Sequence, residues 1–208
     1  MKDVLYIHGM GGGSDSRIPS ILGPLLSVHG IAVHVRTYDF DPETACAQIG
    51  AWVDELRPSL VIGESLGSLH ALRIKGMPHL FVSPALNASI YFELMAWLTL
   101  IPGMTRVFDR IYKPREGDRQ KLHFTFRTLR KYRLHRRMAL MTAAGSGDTY
   151  HAFIGTRDHY LRSGVVSRRT WKKYFGESFS TYDGTHFMEE EHVISLLVPE
   201  ILNQLNIK

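Results

Sequence analysis

The chain has a single cysteine, Cys46, so no disulfide can form within it. A disulfide framework of the secreted type is therefore excluded, and an intracellular setting is the simplest expectation. Cys46 falls in an amphipathic helical pattern and reads as a small buried hydrophobe. Long apolar runs are also missing. The longest, 90–104, is too short to cross a bilayer and contains Glu93 and Pro102. The N-terminus lacks the basic, apolar and cleavage regions of a signal peptide; its short apolar run leads straight into glycines. A soluble, cytoplasmic protein without a membrane span is expected. No internal repeat or low-complexity tract is present. Acidic residues are scarce in one place only. Positions 106–137 hold 12 Lys/Arg against 3 Asp/Glu, while the remainder holds 13 against 17. The net charge of +5 thus belongs to one segment. What is there is ordinary for a globular protein: 208 residues, 44% hydrophobic, enough for one domain with a sizeable core.

Apolar runs and helical periodicities alternate along the chain. Strands are expected at 3–8, 31–37, 60–63, 79–83, 150–155 and 178–183. Helices are expected at 18–28, from Asp41-Pro42-Glu43 to about Leu56, at 66–74, and at 189–205, where Pro199 should kink or restart the helix. Alternation of this kind implies an α/β fold, with a mostly parallel, doubly wound sheet of about six strands. An insertion, about 84–149, separates the fourth and fifth strands and is too long for a plain loop. It reads as helical, and from about 86 to 149 as a cap over the strand ends. Core-packing helices that extend one sheet face are the competing reading.

Gly63-Glu64-Ser65-Leu66-Gly67 follows the run Leu60-Val61-Ile62 and opens a helix-like stretch. That is G-x-S-x-G in a strand–turn–helix context. So tight a turn needs neighbours with almost no side chain, and Gly63 and Gly67 provide them. Ser65 is raised at a helix N-terminus, where free N–H groups favour developing negative charge. An ordinary turn with a capping serine would give the same five residues, so the order of the other groups matters.

Serine needs a base, and the base needs a partner to hold its tautomer. In a doubly wound sheet these should lie on loops after later strands, at the same carboxyl edge. Gly155-Thr156-Arg157-Asp158-His159 and Asp183-Gly184-Thr185-His186-Phe187 are such loops. The order Ser65, Asp158, His186 results. His159 is the rival base, but adjacent residues cannot easily make the Asp–His bond. Asp183 is the rival acid, only three residues before His186. His8 adjoins the glycine loop and could brace it. For His29, His34, His70, His79, His123 and His135, a surface or hydrogen-bonded packing role is expected.

Two N–H donors are needed for an oxyanion. Leu66 should give one and Met10, in the loop His8-Gly9-Met10-Gly11-Gly12-Gly13, the other. Gly9, Gly11 and Glu64 are the candidate substrate contacts. A dinucleotide site on this loop is the weaker reading, because Ser14 stands where the third glycine of G-x-G-x-x-G belongs. No cofactor and no metal are expected.

These pieces together, with Leu5-Tyr6-Ile7-His8-Gly9 at the start, resemble the α/β-hydrolase superfamily. Among its branches the chain is most similar to the small bacterial YqiA-type esterases. They share the early oxyanion strand, the His-Gly loop, the Gly-x-His loop and a Pro-containing terminal helix, here 192–202. The resemblance covers about 1–85 and 150–208, and leaves 87–148 unmatched. It implies Ser65 as nucleophile, His186 as base, Asp158 as orienting acid and the Met10 and Leu66 N–H groups as oxyanion donors. The implied substrate is a small acyl ester or thioester; peptidase or lipase activity would use the same groups. A second class of function stays open: a hydrolase-fold binding or scaffold protein whose basic stretch 121–137 holds an acidic partner or nucleic acid. A solvated helix face explains that stretch as well, and nucleic-acid binding is not expected.

Overall fold

The computed structural model describes residues 1–113 and 116–207. Pro114 and Arg115, within the basic segment, and Lys208, at the end of the stretch of resemblance, lie outside the described residues. Six strands form one parallel sheet: β1 (Lys2–Ile7), β2 (Ile31–Val35), β3 (Leu60–Glu64), β4 (His79–Val82), β5 (Tyr150–Gly155) and β6 (Phe179–Tyr182). Their spatial order is β2-β1-β3-β4-β5-β6. The order reverses once, between β2 and β1–β3, so β1 and β3 lie side by side and their carboxyl ends adjoin.

Strand side chains alternate between two cores. Leu5, Ile7, Val61, Phe81, Ala152 and Ile154 enter one, and Val4, Tyr6, Leu60, Ile62, Leu80 and Phe153 the other. The second core is closed by α1 (Arg17–Ser27) and by the chain's last helices. These comprise α9 (Glu190–His192), a π-helical turn at Val193–Leu197 and α10 (Val198–Gln204). Pro199 falls in the first turn of α10. Proline offers no N–H to the preceding turn, and the wider π turn just ahead of it takes up that break.

The first core is closed by α2 (Pro42–Leu56), α3 (Gly67–Ala71), α4 (Ala88–Leu98), α5 (Met104–Ile111), α6 (Phe126–Ala144) and α8 (Arg168–Phe175), with the short α7 (Tyr160–Ser163) at its rim. The Asp41 carboxylate accepts from the N–H groups of Glu43 (3.0 Å) and Thr44 (3.3 Å), and Pro42 fills the first turn of α2. α3 is shorter than the expected 66–74, because its last residues tighten into i→i+3 turns.

The insertion α4–α6 contributes Phe92, Ala96, Phe108, Phe124, Leu129, Tyr132, Ala139 and Leu140 to the first core. Its second half therefore extends one face of the sheet, as the competing reading anticipated. The apolar run at 90–101 is not a fully buried helix. Phe92 and Ala96 point inward, while Ile90, Leu94, Trp97, Leu100 and Ile101 are exposed. In the basic stretch Lys121, Arg127, Arg130, Arg133 and Arg137 are exposed, as a solvated helix face requires, while other basic side chains of the segment are engaged within the fold. Lys131 bridges Asp41 (2.7 Å) and Glu43 (2.6 Å), and Arg119 pairs with Asp15. Arg136 donates to the Leu86 carbonyl (2.6 Å) and Asn87 Oδ1 (2.8 Å). Arg130 lies over the rings of Trp97 and Phe126.

Candidate active site

Ser65 directly follows β3 and has a left-handed backbone, with φ of 49°. A non-glycine side chain there costs about 1–2 kcal/mol, so the surroundings must enforce it. Three hydrogen bonds do: the Ser65 N–H donates to Val82 O (2.9 Å), and its carbonyl accepts from the N–H groups of Ala85 (3.0 Å) and Ser68 (3.2 Å). Both elbow glycines are sterically required. A Cβ on Gly67 would lie 2.4 Å from the carbonyl oxygens of both Ile7 and His8. One on Gly63 would lie 2.9 Å from Ala71 Cβ and from Ser68 Cα. The helix can start only by pressing its first turn onto the end of β1.

At the same sheet edge the loops after β5 and β6 deliver the other two groups. Ser65 Oγ is 2.9 Å from His186 Nε2, and His186 Nδ1 is 2.8 Å from Asp158 Oδ2. Asp158 Oδ1 accepts from the Tyr160 N–H at 2.8 Å, which fixes the carboxylate plane. Asp158 and His186 are buried and Ser65 is partly open. Burial opposes charge on Asp158, yet the hydrogen bonds from His186 and Tyr160 hold its carboxyl below the ordinary carboxylate range. A Cβ on Gly155 would lie 2.4 Å from the Gly184 and Thr185 carbonyl oxygens, so this glycine lets the two loops touch. Neither rival joins the relay. His159 is exposed beside Tyr160, and Asp183 is exposed and pairs with Arg157 at 2.9 Å.

The N–H groups of Met10 and Leu66 donate to no protein acceptor among the described residues. Gly9 abuts the nucleophile: a Cβ there would be 3.1 Å from Ser65 Cβ. Gly11 has φ of 72°, and its N–H donates to Gln120 Oε1 at 3.0 Å. The Glu64 carboxylate accepts from Tyr6 Oη at 2.9 Å, and burial pushes it above the usual range despite that bond. His8 braces the loop as expected. Nδ1 is 2.7 Å from the Gly9 carbonyl, the ring stacks on Tyr38 at 4.3 Å, and burial lowers its pKa to about 4.

Three supporting groups escaped the sequence reading. Gln120, fully buried, comes from the insertion; its N–H donates to Gly12 O (2.7 Å) while its side chain holds Gly11. The run 118–120 lies so close that a Cβ on Gly13 would fall 1.7 Å from Asp118 O. Tyr38 Oη donates to the His8 carbonyl (2.6 Å). Tyr160 packs edge-on against the His186 ring at 4.6 Å. None carries a local motif, so spacing could not reveal them.

No family model and no curated protein sequence matches the chain. Solved structures do. A monoacylglycerol lipase from Paleococcus ferrophilus aligns with a TM-score of 0.69 at 20% identity, covering 98% of this chain and 94% of that one. Est1E from Butyrivibrio proteoclasticus, solved with ferulic acid bound, gives 0.66 at 18% identity over 99% and 90%. A thioesterase domain from the curacin biosynthetic pathway gives 0.56 at 16% identity over 97% and 90%. A single parallel sheet flanked by helices, and near-complete overlap with these structures, give this chain the α/β-hydrolase fold.

Proposed function

We propose that the chain is a serine hydrolase that cleaves a small ester or thioester through an acyl-enzyme on Ser65. The observation that carries this is the unbroken relay Ser65–His186–Asp158, at 2.9 and 2.8 Å, starting from a strained serine. His186 Nε2 takes the hydroxyl proton as Oγ attacks the carbonyl, and Asp158 stabilises the imidazolium. The negative charge that develops on the carbonyl oxygen is received by the N–H groups of Met10 and Leu66. The imidazolium returns its proton to the leaving alcohol or thiol. Water, activated by the same imidazole, then releases the acid. Every step uses groups the chain itself provides. Gly9 keeps the approach to Ser65 open, and the candidate substrate contacts Gly11 and Glu64 are each held by a hydrogen bond.

The insertion serves this site as a cap. Its Gln120 fixes the glycine loop, and Tyr91 Oη donates to Ser163 O on α7, whose first residue, Tyr160, packs on His186. The open apolar residues of α4 suit an apolar acyl group. Within the superfamily the assignment to the YqiA-type bacterial esterases rests on the sequence resemblance, and a cytoplasmic location fits the single free cysteine. The alternative of a polyanion-binding scaffold loses ground to the internal use of Arg119, Lys131 and Arg136.

Fluorophosphonate labelling tests the reading. Wild type should be labelled once, on Ser65, and turn over p-nitrophenyl esters; Ser65→Ala should do neither. Unlabelled but folded wild type, or turnover by Ser65→Ala, would reject it.

A further inference from the structure

A second cluster of reactive side chains lies on the far side of the helix that carries the nucleophile. Cys46 of α2, His70 of α3 and His135 of α6 each offer one donor atom, and the three atoms lie within 4.8 Å of one another. Cys46 Sγ is 3.7 Å from His135 Nδ1, and the two imidazole rings are 4.5 Å apart. His70 is 1% exposed and His135 5% exposed. Both ring nitrogens of His70 and Nε2 of His135 lack a hydrogen-bond partner among the described residues. The hydrogen-bonded packing role expected of His70 is therefore not what the structure has, and His135 meets it through Nδ1 alone, at Cys46 Sγ. An orphaned buried imidazole is costly, and it calls for an explanation.

We infer that Cys46, His70 and His135 form a binding site for a thiophilic divalent transition-metal ion, with Zn²⁺ the best fit. Thiolate with two imidazoles is a donor set that such ions prefer. With Zn–S of about 2.3 Å and Zn–N of about 2.0–2.1 Å, a tetrahedral site has S–N edges of roughly 3.6 Å and N–N edges of roughly 3.3 Å. The observed 3.7 Å edge already matches. A separation of up to 4.8 Å must shorten by roughly 1.2–1.5 Å, within reach of an imidazole rotation. A thiol–imidazole hydrogen bond would account for the Cys46–His135 contact alone and would leave His70 unexplained.

The local charge can accommodate the ion. Lys131 at the pocket mouth is neutralised by Asp41 and Glu43. Burial raises the Cys46 thiol above its ordinary range and Arg73, also lining the pocket, only partly offsets this, so the ion itself must displace the thiol proton. On binding, the thiol proton leaves to solvent and the S–metal bond replaces S–H. The fourth position faces the surface pocket between Pro42, Glu43 and Met138, where water or a small anion can complete the tetrahedron. The ion would tie α6 of the insertion to α2 and to the helix behind Ser65.

The test is independent of the hydrolase reading. Co²⁺ is titrated into chelator-treated, full-length protein without a histidine tag, then displaced with Zn²⁺. One Co²⁺ per chain is expected, with a thiolate-to-cobalt charge-transfer band and strong tetrahedral d–d bands that vanish at one equivalent of Zn²⁺. Cys46→Ser should abolish the charge-transfer band. His135→Gln and His70→Gln should each weaken Zn²⁺ by more than the roughly 10- to 100-fold typical of losing an outer-shell partner. Zn²⁺ should raise the Tm of wild type and leave that of Cys46→Ser unchanged. If a histidine variant misfolds by circular dichroism, Cys46→Ser, a near-isosteric change, decides alone. No stoichiometric binding to folded wild type, a pale octahedral spectrum, or unchanged affinity in Cys46→Ser would each overturn the site.

Discussion

Replacing Asp158 by asparagine should cripple hydrolysis while leaving the fold in place, for a reason specific to this loop. Asp158 Oδ1 accepts from the Tyr160 N–H at 2.8 Å, and Oδ2 accepts from His186 Nδ1 at 2.8 Å. An asparagine has one oxygen and one NH₂. The Tyr160 N–H can be satisfied only by the oxygen, so the NH₂ must face His186 Nδ1. That nitrogen then becomes the acceptor, and the proton sits on Nε2, facing Ser65 Oγ. The imidazole can no longer take the serine's proton, and the charge that stabilises imidazolium is gone as well. Loss of both functions costs on the order of 10³–10⁴ in kcat/KM, or about 4–5.5 kcal/mol of transition-state stabilisation. The side chains are isosteric and every hydrogen-bond position is filled, so unfolding should shift by no more than about 1–2 kcal/mol. The assay is kcat/KM on p-nitrophenyl acetate beside urea unfolding, with Asp158→Ala as a comparison lacking the forced tautomer. A folded Asp158→Asn enzyme within tenfold of wild type would refute the reasoning, because Nε2 would still be accepting.

Three further outcomes follow from the geometry. Ser65→Gly should be more stable than Ser65→Ala by about 1 kcal/mol in urea unfolding, since both lose the hydroxyl and only glycine tolerates φ of 49° freely; equal stabilities would deny the strain. Gly67→Ala should lose at least about 2 kcal/mol, because its Cβ meets two carbonyl oxygens at 2.4 Å, whereas Gly50→Ala in α2, whose Cβ meets nothing within 4 Å, should gain about 0.5–1 kcal/mol; a tolerated Gly67→Ala would mean the elbow is looser than it stands. His79 is buried beside Phe81 and Tyr150, and burial lowers its pKa to about 4 against 6.5 unfolded. The unfolded chain therefore binds the extra proton first: the full contribution, about 3 kcal/mol, is present above pH 6.5 and is lost as pH falls towards 4. His79→Phe should flatten the decline in Tm between these values, and an unchanged slope would show that other groups cause it.

The strands and most helix starts could be read from sequence because their signals are local. A strand buried on both faces needs a short apolar run, and the Asp41-Pro42 start needs only its own side chain and ring. Ser65, Asp158 and His186 were legible for a related reason. In a parallel sheet every strand ends at the same edge, so position just after a strand is nearly position in space. Tertiary structure alone could bring them to 2.9 and 2.8 Å and leave His159 and Asp183 outside that contact, since those distances depend on loop paths fixed by the Gly155–Gly184 contact. It alone decided the fate of the insertion. The pattern at 90–101 is apolar nearly all round, and periodicity does not say which side finds a partner; packing buried Phe92 and Ala96 and left Leu94 and Trp97 open. Likewise nothing local joins Gln120 to Gly11, or Cys46 to His70 and His135. Those residues lie 109, 24 and 89 positions apart, and only the stacking of α2, α3 and α6 on one sheet face brings the last three together.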